Sequence, residues 1–168
     1  GLPAGLKLSV HTGSDKFSLY PVIRGAIRDL GAGLHLKTAG TTWLEEVIGI
    51  ASEGGVALAL MQELYAQAHA RYEELCKPYA TVIRIDRAQL PSPAEVRTWT
   101  AEQYVEALRH DPSCPRYNIH FRQFVHVSFR IAAEFGGRYT AMLQGCRGAI
   151  EQNVTMNLFE RHLKPLFV

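Results

Sequence analysis

LKLSVHTGSDKFSLYPVIRGAIRDLGAGLHLKTAGTTWLEE, residues 6–46, decides the fold of this chain. Apolar Leu6, Leu8 and Val10 alternate with Lys7, Ser9 and His11, the period of a strand with one apolar and one polar face. Leu34 and Leu36 alternate with His35 and Lys37 in the same way, so a second strand repeats the pattern. Between them Val22, Ile23, Ala26, Ile27 and Leu30 recur at helical spacing, and Gly31 and Gly33 close the helix. Strand, helix and strand over so short a stretch form a βαβ unit with parallel strands and a right-handed crossover. His11 and His35 then lie at or near the carboxyl ends of neighbouring strands, where α/β folds carry their chemistry. Either histidine alone reads equally well as a hydrogen-bonded interior residue. Their matched positions favour the functional reading.

Each strand runs into a polar loop. Thr12-Gly13-Ser14-Asp15-Lys16 precedes a helix, and backbone N–H groups at a helix start favour a phosphate or carboxylate, which makes Ser14, Asp15 and Lys16 candidate substrate contacts. Ser14 or Asp15 also reads as an ordinary helix cap. Thr38-Ala39-Gly40-Thr41-Thr42 repeats the arrangement after the second strand, adding Thr38 to the candidates, and Thr42 with Glu45 fits a capping box.

Working outward, the 168 residues have the composition of an ordinary globular protein, 47% hydrophobic and 20% charged. A net charge of +2, with the basic residues scattered, argues against a nucleic-acid partner. No apolar run suits a membrane span and no signal-peptide pattern opens the chain, so a cytoplasmic protein is expected. The three cysteines, Cys76, Cys114 and Cys146, are far apart and form no C-x-x-C pair, which reads as reduced thiols. The fold class is α/β, with two or three parallel strands and many helices. Two βα units occupy 6–52 and a mainly helical region occupies 56–168. A complete (β/α) barrel needs about 250 residues, so the expectation is either a single domain or the carboxyl-terminal part of a barrel-like protein. Open strand edges are compatible with self-association.

In the helical region, Leu60, Met61, Leu64, Tyr65, Ala68, Tyr72 and Leu75 form a core stripe along one long helix over 56–76, with His69 at its edge. Residues 79–85, YATVIRI, read as a third strand or as the end of a buried helix. Ser92, Pro93 and Glu95 mark a helix start, and Thr100 with Gln103 marks another. Helices follow over 102–109, 121–135 and about 139–159. Within 121–135, Arg122, His126 and Arg130 fall on one face, a pattern suited to a carboxylate or to simple solvation.

The segments KLSVHTGSDKFSLYP, LHLKTAGTTWLE, VEALRHDPSCPRYNIHFRQFVHVSFRIAAEFG and NLFERHLKPLF resemble the tagaturonate/fructuronate epimerases of bacterial hexuronate catabolism. That resemblance implies a barrel-like α/β enzyme, longer than this chain, which interconverts two keto-sugar acids and requires a divalent metal cation held through histidines. The family's motifs carry over to His11 and His35 as metal ligands, with the third ligand and the acid/base carboxylates expected upstream of Gly1. In the keto form the epimerised carbon lies one position beyond the carbon next to the ketone. Its proton is therefore not acidified by that carbonyl, which favours retro-aldol cleavage and re-addition with the ketone polarised by a metal. No dinucleotide fingerprint is present for an oxidative route. Lys37 and Lys16 are the candidates to neutralise an alkoxide or hold the substrate carboxylate, with Arg122 and His126 as further contacts to the sugar acid. A different metal-dependent isomerase or aldolase, and a non-catalytic helical module, are the alternatives.

Overall fold

A parallel pairing of two five-residue strands fixes the first part of the molecule. In the computed structural model, which describes residues 7–12 and 16–168, β1 (Lys7–His11) pairs with β2 (Gly33–Lys37) in the register Lys7↔Gly33 through His11↔Lys37. Helix α1 (Tyr20–Leu30) connects them, entered through a single 3₁₀ turn at Phe17–Leu19. Gly31 ends α1 in the left-handed conformation, φ 58°, where only glycine avoids a Cβ penalty. The chain divides into two units, one comprising the described residues up to Thr42 together with Val154–Val168, the other Trp43–Asn153.

The first unit has a thin core. Val10, Tyr20 and Leu166 are buried, whereas Val22 and Leu30 of α1 are 70% and 78% exposed. Its carboxyl-terminal part is a π-helical stretch, Asn157–Leu163, followed by α11 (Lys164–Phe167). α11 packs on α1, and Arg24 donates to the Val168 carbonyl at 2.7 Å.

The second unit is all-helical among its described residues. It contains the greater part of α2 (Ala39–Ser52), then α3 (Gly55–Ala70), α4 (Tyr72–Cys76), α5 (Pro93–Arg97), α6 (Ala101–Leu108), α7 (Ile119–Val127), α8 (Phe129–Phe135), α9 (Gly137–Gly145) and most of α10 (Arg147–Met156). Leu44, Ile48, Met61, Leu64, Tyr65, Tyr104, Phe121, Phe124 and Ile131 fill its centre, each with 1% exposure or less. The apolar stripe read from 56–76 is buried as its spacing requires, except for half-buried Tyr72. Ser92 and Thr100 cap α5 and α6, and Thr100 and Gln103 form the reciprocal capping box.

Several expected elements are altered. No third strand forms at 79–85 among the described residues: Pro78 sits in a 3₁₀ turn, and the amides of Val82 and Ile83 both donate to the Tyr79 carbonyl at 2.9 and 3.0 Å, which coils the backbone. The long helix over 56–76 breaks at Arg71, whose guanidinium takes Glu74 in a two-point pair and reaches Glu134 at 2.5 Å. The helix over 121–135 begins at Ile119, capped by Asn118, and breaks at Ser128, whose hydroxyl donates back to the Phe124 carbonyl at 2.7 Å. Thr42 does not cap a helix. α2 starts at Ala39, and the Thr42 hydroxyl donates to the Thr38 carbonyl instead.

Two of these contacts have measurable consequences. A Cβ added at Gly49 would lie 2.7 Å from the Ile150 Cα, so Gly49→Ala should destabilise the protein by about 1–3 kcal/mol in urea unfolding. The guanidiniums of Arg71 and Arg130 hold the Glu74 carboxyl down at about 2 against an ordinary 4.5. A depressed carboxylate stabilises the fold above its unfolded value and loses that contribution on protonation. Melting temperature should therefore fall as pH drops from 4.5 through about 2, and Arg71→Ala should flatten that slope.

Candidate active site at the strand ends

Alternation along the paired strands decides which side chains meet. Lys7, Ser9 and His11 of β1 share one face with their register partners Gly33, His35 and Lys37 of β2. His11 sits directly beside Lys37, and His35 directly beside Ser9. The two imidazoles are thus one strand apart and two residues out of step, about 8 Å between Cβ atoms from strand spacing and rise. His11, His35 and Lys37 are all exposed, while Val10 on the opposite face is 8% exposed.

Hydrogen bonds tie the two strand ends together just beyond this patch. The amide and hydroxyl of Thr12 both donate to the Lys37 carbonyl, at 3.1 and 3.0 Å. Because the Thr12 hydroxyl proton is committed there, Thr41 is the donor in the 3.1 Å contact between the Thr12 and Thr41 hydroxyls. Both threonines are fully buried. The Lys16 ammonium donates to the His11 carbonyl at 2.9 Å, which places a second lysine head at the carboxyl end of β1. Thr38 is half-buried, and its carbonyl accepts both the amide and the hydroxyl of Thr42.

The structure therefore brings together His11, His35, Lys16, Lys37 and Thr38 within the first unit. Ser14 and Asp15 lie outside the described residues. Arg122 and His126 belong to the second unit, on α7. Arg122 is 4% exposed and donates to the Leu108 carbonyl at 2.8 Å, and His126 is half-buried. Arg130 does not continue their row: the break at Ser128 places it on α8, where it pairs with Glu74 and Glu134. His69 lies among aromatic rings, 6.0 Å from Tyr65 and 6.4 Å from Phe124, and burial pushes its pKa down, reinforced by Arg87.

No group of three His, Cys, Asp or Glu side chains suited to a metal occurs among the described residues. His11 and His35 offer two imidazole nitrogens from adjacent strands on one exposed face, a donor set that fits a divalent cation as two of its ligands. Neither Thr12 nor Thr41 stands out by residue type. The place of Thr12 immediately after β1, and of Thr41 in the first turn of the helix that follows β2, was the available signal.

The register gives Lys37, not His35, the strand-end place beside His11, and leaves His35 at the middle of β2. Two histidines and a lysine on one face of a parallel strand pair are still the kind of group on which α/β enzymes build their chemistry. A family model described as tagaturonate epimerase matches residues 3–140, and the chain belongs to that family. It is 34% identical over 125 residues to the tagaturonate/fructuronate epimerase of Thermotoga maritima, an overlap that covers 74% of this chain and 22% of that protein. No solved structure matches the chain. The first three segments that carry the resemblance fall within the matched residues, whereas 157–167 lies beyond them. No described helix is long and apolar enough to cross a membrane.

Thr12→Val removes the hydroxyl that donates to the Lys37 carbonyl and accepts from Thr41, leaving the amide as the remaining donor to that carbonyl. A loss of about 1–3 kcal/mol is expected in urea unfolding, with faster hydrogen exchange at the Thr12-equivalent amide.

Proposed function

We propose that this chain contributes the His11/His35 face to a metal-dependent epimerase that interconverts the keto-hexuronates tagaturonate and fructuronate, and that its two βα units belong to a larger barrel-like α/β fold. The observation that carries the reading is the shared face of His11, at the carboxyl end of β1, and His35, at the middle of the paired parallel β2, in a chain of the tagaturonate epimerase family. His11 and His35 would hold the divalent cation, with further ligands from outside the described residues. When bound, such an ion supplies Lewis-acid polarisation of a ketone.

The remaining roles fall to this chain's own side chains. Lys37, beside His11 in the register, offers an ammonium to the oxygen on which negative charge develops as the carbon–carbon bond opens. Lys16 orients the substrate carboxylate from the end of β1, and Thr38 lines the end of β2. Thr12 and Thr41 touch no substrate in this account. They keep the two strand ends in one register so that the imidazoles and ammonium groups converge.

Incubating the metal-loaded full-length protein that contains this chain with tagaturonate and following the appearance of fructuronate by NMR tests the reading. Turnover should require metal, and His35→Ala should lower kcat by about a hundredfold or more. Turnover indifferent both to chelator and to His35→Ala would overturn it.

A further inference from the structure

A second polar pair lies within the same unit, away from solvent. The Tyr20 hydroxyl and His162 Nδ1 are 2.6 Å apart, and both residues are fully buried. The Phe17 ring lies 5.1 Å from the His162 imidazole and meets the Tyr20 ring edge-on at 5.8 Å. The Arg161 guanidinium sits 4.3 Å over Phe17. His162 is delivered by the π-helical stretch Asn157–Leu163, a geometry that is rare and frequently found at functional sites.

Packing alone does not call for this pair. Two apolar side chains of the same size would fill the space without the desolvation cost of a hydroxyl and an imidazole. What a buried, directional hydrogen bond adds is a single arrangement of the backbone segments that carry it. One of those segments is the turn immediately after Lys16: the Leu19 amide donates to the Lys16 carbonyl at 3.0 Å, and Phe17, which opens that turn, and Tyr20, which follows it, both meet His162. Lys16 is thus set from its carboxyl side by the Tyr20–His162 contact and ends with its ammonium on the His11 carbonyl.

We infer that Tyr20 and His162 are positioning residues that act through Lys16, holding its ammonium at the end of β1 for the carboxylate of a sugar-acid substrate. The carboxylate role rests on the epimerase reading; the control of Lys16 does not. Neither residue touches solvent, so neither contacts substrate. His162 also lies beyond the residues matched by the family model.

The test labels lysines of the intact protein with a limiting acylating reagent and reads the rate at Lys16 by peptide mass spectrometry, with circular dichroism as the check on folding. Tyr20→Phe and His162→Leu should raise the rate at Lys16 by about fivefold or more. His162→Asn, which keeps a polar atom near the Nδ1 position, should restore it towards wild type. An unchanged Lys16 rate in folded Tyr20→Phe overturns the inference, and that variant decides the matter if His162→Leu fails to fold. Steady-state kinetics separates the two readings: the pair variants should raise KM for tagaturonate while kcat stays within about twofold. A full-length protein containing this chain that does not turn over uronates, yet shows pair-dependent labelling of Lys16, would remove the epimerase reading and leave the positioning role standing.

Discussion

The Lys37 carbonyl is the point on which the first unit depends. It accepts two hydrogen bonds from Thr12, one from the backbone and one from the hydroxyl, and through that hydroxyl it is linked to Thr41. A two-stranded parallel sheet is a weak structure by itself, because its bonds are slanted and each strand has one partner. Extending the ladder one residue beyond His11 with a buried side chain locks the register at the end where His11 and Lys37 lie. A slip of one residue would turn His11 or His35 to the opposite face and separate them. Register is therefore the physical variable that sets His11 and His35 on one face.

The two units differ in what holds them. The helical unit is dominated by apolar burial, with interlocked aromatic rings such as Tyr104 against Phe121 at 5.3 Å and Tyr65 against Phe121 at 5.0 Å. The strand unit has few buried apolar residues and relies on polar fasteners: the Thr12–Lys37–Thr41 contacts, the Tyr20–His162 bond and the Arg24–Val168 bond. Directional bonds are suited to holding side chains in a defined geometry, whereas apolar burial mainly supplies stability.

How much of this was legible in the sequence follows from which signals are local. Strand alternation placed Lys7, Ser9, His11, His35 and Lys37 on polar faces, and the register joins those faces into one. Helix starts at Ser92 and Thr100 were readable because a cap is a contact three residues long. Helix interruptions at Arg71 and Ser128 were not, since both residues fit a helical pattern and neither is a glycine or a proline. Residues 79–85 misled because β-branched composition says nothing of whether a partner strand is available. Tyr20 and His162 were invisible for a similar reason, being 142 positions apart with nothing in either segment that announces the other.

Cobalt(II) binding to the intact protein, read by its ligand-field absorption, reports coordination by imidazole rather than activity. A bound-cobalt spectrum is expected in the wild type and should be lost in the His11→Ala, His35→Ala double variant while the fold is retained. A double variant that binds cobalt with the same spectrum and affinity would contradict coordination by His11 and His35 and place the metal on other residues.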